Sequence, residues 1–356
     1  VNLLLVVYNY NNRATKKIER ALASQNKAYD KRTLLEFVEY KKKSGKTVYP
    51  HVVPREFLEK NQGKNFYLTA MPNTNYVSCN EFGEWKQFRT DDLGFNNEKF
   101  IKNFEILLVG DSFAEGSCVN KLSEPSNLFS KNYNLLTYSI GVSGNGPLLS
   151  LALIHEMQNK VNFNHIVWLI YDNDFYDLKV EKKHSFLNNY LKNDFLKNNY
   201  FEDIDRIKKE QIKYINSKLS SYKKKYSLKE NILELKELIF FLNTLHQSEK
   251  TSKDYSNDFK DDFKKVFSKL EKLYPNKKIT VVYLPETTCF TSRGKDCTLR
   301  FELLSSTSKK IKFLNFYDHI KSNFKNFKEI YALGMDRAHF SEKGYRELVK
   351  FIHGKF

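Results

Sequence analysis

A serine, a glycine, an asparagine and a histidine stand where separate apolar runs of this chain come to an end, and between them they hold what acyl transfer requires. Gly110-Asp111-Ser112 closes the first run, Gly144 lies in "GVSGNGP" after the second, Asn173 in "YDND" after the third, and Asp336-x-x-His339 precedes the last helical segment. Ser112 is a hydroxyl that needs a base. His339 is a base that needs orienting, and Asp336 is near enough in sequence to accept from its second ring nitrogen. The backbone N–H groups of Ser112 and Gly144 and the side-chain amide of Asn173 are donors suited to the anionic oxygen of a tetrahedral intermediate. Glycine at 144 leaves room for a carbonyl to approach, with Gly141 and Gly146 as rival candidates for that place. Asp111, Phe113, Tyr171 and Asp174 flank these positions and are candidate substrate contacts, Tyr171 because a ring at a strand end can stack on a sugar.

The pieces differ in weight. An Asp three residues before a His arises by chance about 0.4 times in a chain of this composition, whereas Gly-Asp-Ser arises only ~0.05 times. Taken singly, Ser112 reads equally as a helix-capping serine and Asn173 as a turn asparagine. Their order along the chain, each at its own strand end, is what makes them a set.

Elements that would position such a set are legible in the texture. Apolar, β-rich runs cover 105–111, 135–142, 165–172, 279–285 and 311–318, separated by helical segments, which predicts a parallel sheet with crossover helices, an α/β fold. Ligands of such sheets sit at the carboxyl ends of the strands, where the polar residues fall. Pro147 suits the first turn of the helix after the second run, and Ser341 suits the cap of the C-terminal one. Residues 174–278 read as a large Lys-rich helical insertion between strands 3 and 4, its "ILELKELIFFLNTL" apolar enough to pack on the body, with Glu181 near its start capping or pairing there. Residues 1–104 read as a helical and loop-rich lead-in and 105–356 as the main domain.

The chain has 356 residues and a net charge of +17, mostly lysine scattered along its length. Without a zinc-finger spacing, basic zipper or RNA-binding aromatic motif, that charge is a solvated surface rather than a nucleic-acid reader, and no nucleic-acid partner is expected. Cys79, Cys118, Cys289 and Cys297 form no C-x-x-C pair, so no metal is expected; they are either four buried thiols or two disulfides, Cys289 with Cys297 and Cys79 with Cys118, which would mark an oxidising compartment. The opening "VNLLLVVYNYNNRATKKIER" reads either as the end of a signal anchor or as an ordinary element of the fold.

In its four blocks, Gly110-Asp111-Ser112-Phe113, Gly144, Asn173 and Asp336-x-x-His339, the sequence resembles the SGNH (GDSL-like) hydrolases over residues 105–353, apart from the insertion. The lead-in "CNEFGEWKQFRTDDLGFNN" is similar, more loosely, to that of bacterial exported or membrane-anchored members. The resemblance implies a flavodoxin-like five-stranded parallel sheet and no cofactor. It further implies an acyl-enzyme on Ser112 and a small acyl ester, such as an acetylated saccharide of the cell envelope, as substrate. An O-acyltransferase on the same site, or a non-catalytic glycan-binding or scaffold protein, would keep the same blocks. Two positions depart from the family pattern: Phe113 stands where leucine is commoner, and Phe340 follows the histidine where proline is frequent.

Overall fold

A computed structural model of the chain describes residues 19, 22–23, 28–51, 53–54, 67–195, 199–227, 257–291, 294–334 and 338–356. Its centre is a five-stranded, all-parallel sheet of β4 (Ile106–Val109), β5 (Thr137–Ser139), β6 (His165–Tyr171), β7 (Lys278–Leu284) and β8 (Lys312–Asn315), in the spatial order β5-β4-β6-β7-β8. This is the expected α/β architecture. All five apolar runs are strands, each trimmed at its polar ends.

Both faces of the sheet are covered, which is why the strands read as unbroken apolar runs. Along β6 the side chains alternate: Ile166, Trp168 and Ile170 enter one core, Val167, Leu169 and Tyr171 the other. The first core is closed by α4 (Pro147–Glu156) and α7 (Asn257–Leu273), the second by α3 (Pro125–Tyr133), α9 (Phe316–Asn323) and α10 (Glu342–His353). Pro147 occupies the first turn of α4, and the Ser341 hydroxyl caps α10 by accepting from Gly344 N.

Every residue of α4 is buried, because the insertion forms a further layer over it. Tyr190 donates to Glu156 at 2.8 Å, and so does the backbone N–H of Tyr200, at 2.9 Å. Helices α5 (Asp174–Glu181) and α6 (Ile204–Ser227) belong to this insertion; the segment "ILELKELIFFLNTL" lies outside the described residues. Of the lead-in, α1 (Leu34–Lys43) carries a Thr33/Glu36 capping box. Beyond it, β1 (Tyr49–Pro50), β2 (Asn75–Val77) and β3 (Gln87–Arg89) form a small sheet whose strands are too short to show a period in the sequence.

One buried carboxylate fastens the lead-in to the main sheet. Asp91 accepts from Leu93 N at 2.9 Å, Phe95 N at 3.0 Å, Asn97 Nδ2 at 3.0 Å and the Tyr138 hydroxyl at 2.6 Å. Asn97 in turn exchanges hydrogen bonds with the backbone of Ser139, so a side-chain amide completes the open edge of β5. Asp91→Ala would strand several buried donors, each worth about 1–3 kcal/mol. The expected loss is about 3 kcal/mol in urea unfolding, with little change in its denaturant slope.

Candidate active site

Ser112 opens the short helix α2 (Ser112–Glu115) directly beyond β4. The turn is tight: Gly110 has φ +146, and a Cβ there would come within 2.7 Å of Leu169 O. Asp111 is 3 % exposed and caps the turn by accepting from Phe113 N at 2.9 Å. Beyond β5, Val142 N donates to Gly110 O, which brings the glycine loop alongside the serine turn.

Across from Ser112 stands His339, 227 residues later, its Nε2 2.8 Å from Ser112 Oγ. The loop that carries it is pinned on both sides, Ala332 N donating to His339 O and Ser341 N to Ile330 O. Its Nδ1 lies 2.8 Å from Glu81 Oε1, and its backbone N–H donates to Glu81 Oε2 at 2.9 Å. A carboxylate only accepts, so Nδ1 carries the proton and Nε2 is left to accept from the serine hydroxyl. Asp336, the acid that sequence proximity suggests, lies outside the described residues. Glu81 was not foreseen, because it comes from the tip of the β2–β3 hairpin in the lead-in, 258 residues from the histidine. The one signal in the sequence was its position two residues from Cys79, whose disulfide to Cys118 reaches the nucleophile segment.

Burial works against charging His339, but the hydrogen bond it donates to Glu81 and the negative charges of Glu81, Asp111 and Glu115 outweigh it, and its pKa is raised above the ordinary value. Burial also pushes Asp111 up to about 6, against the Phe113 N–H and His339, which favour its charge. The site is an acidic pocket in a basic protein, built to hold a proton on the imidazole.

Other candidates divide. Gly144 has φ +79, and a Cβ would fall 1.7 Å from Val53 Cγ1, so the residue is glycine both for its backbone and for the segment that crosses it. The preceding Ser143 is held by the buried Glu115, which accepts from both its hydroxyl and its N–H. Glu181 accepts from Gly146 N at 2.7 Å and Leu148 N at 2.8 Å, anchoring the other end of the glycine loop at the start of α4. Asn173 is exposed and spends one amide hydrogen on Asp177 Oδ2 at 2.9 Å. Phe113, Tyr171 and Asp174 are buried: Asp174 accepts from Tyr171 N, and the Phe113 ring stacks on Tyr171 with centroids 4.3 Å apart. Phe340 meets Phe113 edge-on at 4.8 Å, and Phe113 lies 5.2 Å from the His339 ring. The two departures from the family pattern therefore answer each other, as an aromatic floor beneath the base.

Both disulfides are formed, Cys79–Cys118 and Cys289–Cys297, as suits an oxidising environment. Among the described residues no helix is long and apolar enough to cross a membrane.

No family model and no curated protein matches the sequence. Solved structures similar to it include a family 3 carbohydrate esterase from Clostridium thermocellum, at 14% identity and TM-score 0.36, covering 71% of this chain and 94% of that one. A lipase from a goat rumen metagenome (13% identity, TM-score 0.37, 71% and 97% covered) is another. An acetyl xylan esterase from Butyrivibrio proteoclasticus is a third, at 9% identity and TM-score 0.30, with 77% and 67% covered. Likenesses this distant decide nothing about activity, and the site has to be judged on its own geometry.

Replacing Glu81 by Gln removes the charge nearest His339. The imidazole of Glu81→Gln is expected to titrate at lower pH than that of the wild type, as read by NMR.

Proposed function

We propose that the protein is a serine esterase acting on small acyl esters. The observation that carries this reading is the unbroken relay Ser112 Oγ, His339 Nε2, His339 Nδ1, Glu81 Oε1, with both hydrogen bonds at 2.8 Å. Ser112 Oγ attacks the ester carbonyl while His339 takes its proton, and Glu81 stabilises the imidazolium that forms. The N–H groups of Ser112 and Gly144 and the amide of Asn173 receive the oxyanion. His339 then returns the proton to the departing alcohol, and a water, deprotonated by the same imidazole, releases the acid from the acyl-enzyme.

Glu81 takes here the orienting role that the sequence assigns to Asp336. Asp111, Phe113, Tyr171 and Asp174 support the site from beneath. A small acyl group such as acetyl suits the place where Val53 crowds Gly144. The saccharide carrier and the cell-envelope location rest on the resemblance to exported SGNH hydrolases. A protein that only bound glycans would have no use for a hydroxyl, an imidazole and a carboxylate in line.

A fluorophosphonate probe should label the wild type and spare Ser112→Ala. That variant and His339→Ala should each lose about 10³–10⁶-fold in kcat on an aryl acetate. Equal labelling of wild type and Ser112→Ala would remove Ser112 as the nucleophile.

A further inference from the structure

The acid of this site is not part of the α/β body. Glu81 sits at the tip of a hairpin whose strands, β2 and β3, are three residues each, 258 residues from the histidine it meets. Such a tip, carried on so short a ladder, has little of its own to fix a carboxylate to within a fraction of an ångström. What ties it directly to the serine segment is covalent. Cys79, two residues before Glu81, is bonded to Cys118, six residues after Ser112, with Cα atoms 5.5 Å apart. Cys118 is 1 % exposed, and its sulfur lies 3.3 Å from His339 Nδ1, the nitrogen that Glu81 engages. Polar contacts reinforce the tie: Lys86 Nζ donates to Asn120 Oδ1, Asn80 Nδ2 to Asp30 O at 2.8 Å, Asp30 N to Gly83 O at 2.7 Å, and Trp85 Nε1 to Arg32 O at 2.9 Å.

We propose that Cys79 and Cys118 are positioning residues: their disulfide sets Glu81 on His339, so that the relay is complete only in the oxidised protein. This rests on the esterase reading of Ser112, His339 and Glu81. The bond is open to reduction. Cys79 is only half-buried, and clefts of about 1060 Å³ and 410 Å³ both border Cys118. Opening it frees the hairpin tip, leaves Nδ1 without a fixed carboxylate, and lowers the pKa of the base.

Dithiothreitol supplies the two electrons and two protons. Its thiolate attacks Cys79 Sγ, Cys118 Sγ leaves with the bonding pair and takes up a proton, and the second thiol closes the ring to release Cys79 as a thiol. In the reduced but folded protein, kcat should fall about 10²-fold, the loss expected of a group displaced by about 1 Å. KM should change little and the acid limb of the pH profile should move to lower pH, all reversed by oxidised glutathione. Cys79→Ser/Cys118→Ser should behave as the reduced protein, and adding Glu81→Gln to it should cost nothing further, whereas independent effects would multiply. Cys289→Ser/Cys297→Ser should keep the wild-type rate and profile. Wild-type kcat and pH limb in Cys79→Ser/Cys118→Ser, or losses that multiply with Glu81→Gln, would overturn the proposal. So would a protein that unfolds on reduction by circular dichroism, since the bond would then hold the fold rather than the acid. If instead the oxidised wild type resists the fluorophosphonate probe, it is the esterase reading that fails.

Discussion

The hydrogen bond between His339 Nδ1 and Glu81 is the constraint around which the rest of the site is arranged. It fixes the tautomer, and through the tautomer it decides that Nε2 faces Ser112 as an acceptor. It also joins regions of the chain that share no element: a hairpin of the lead-in and the loop before the last helix. The glycine loop is anchored independently, by Glu115 at Ser143 and by Glu181 at the start of α4. Two buried carboxylates therefore hold the glycine loop, and a third, half-buried, holds His339. Each carboxylate stands where backbone N–H groups or an imidazole can satisfy it, which is the condition for keeping such a charge away from water.

Electrostatics then favour the proton at one place. Glu81, Asp111 and Glu115 act together on His339 against the cost of burying its charge. The excess of lysine that gives the chain its +17 contributes nothing of comparable size there. Net charge describes the solvated surface, screened over about 10 Å, while the behaviour of the base is set by groups within contact. For that reason the basic composition says little about this pocket, whereas the strand ends lead to it.

The sheet was legible because a strand covered on both faces is apolar along most of its length: β4 is so throughout, and β6 and β7 depart from it only at His165, Lys278 and Thr280. Ser112 was legible because a polar tripeptide interrupts such a run. Glu81 was not. In "CNEFGEW" only its nearness to Cys79 sets it apart from Glu84 three residues on, and its place beside His339 follows from the path of a hairpin with three-residue strands. Proximity along the chain points to Asp336, which lies outside the described residues; the carboxylate seen on His339 is Glu81, near in space and far in sequence. The same limit applies to Phe113 and Phe340: far apart in sequence, they pack edge-on with centroids 4.8 Å apart.

Glycine at 144 has a backbone reason beside the chemical one expected of it. Leaving room for a substrate carbonyl is an argument from chemistry, and the residue's φ of +79 is an argument from the backbone. The structure adds Val53, whose methyl group occupies the space a side chain would take. The segment bearing it also carries His51, whose ring nitrogen lies 3.4 Å from Glu115, the carboxylate that grips Ser143. The lead-in thus enters the site twice, over the glycine through Val53 and onto the base through Glu81. A parallel sheet alone brings Ser112 and His339 together beyond its strands; Glu81, and the wall against Gly144, come from the chain that precedes it.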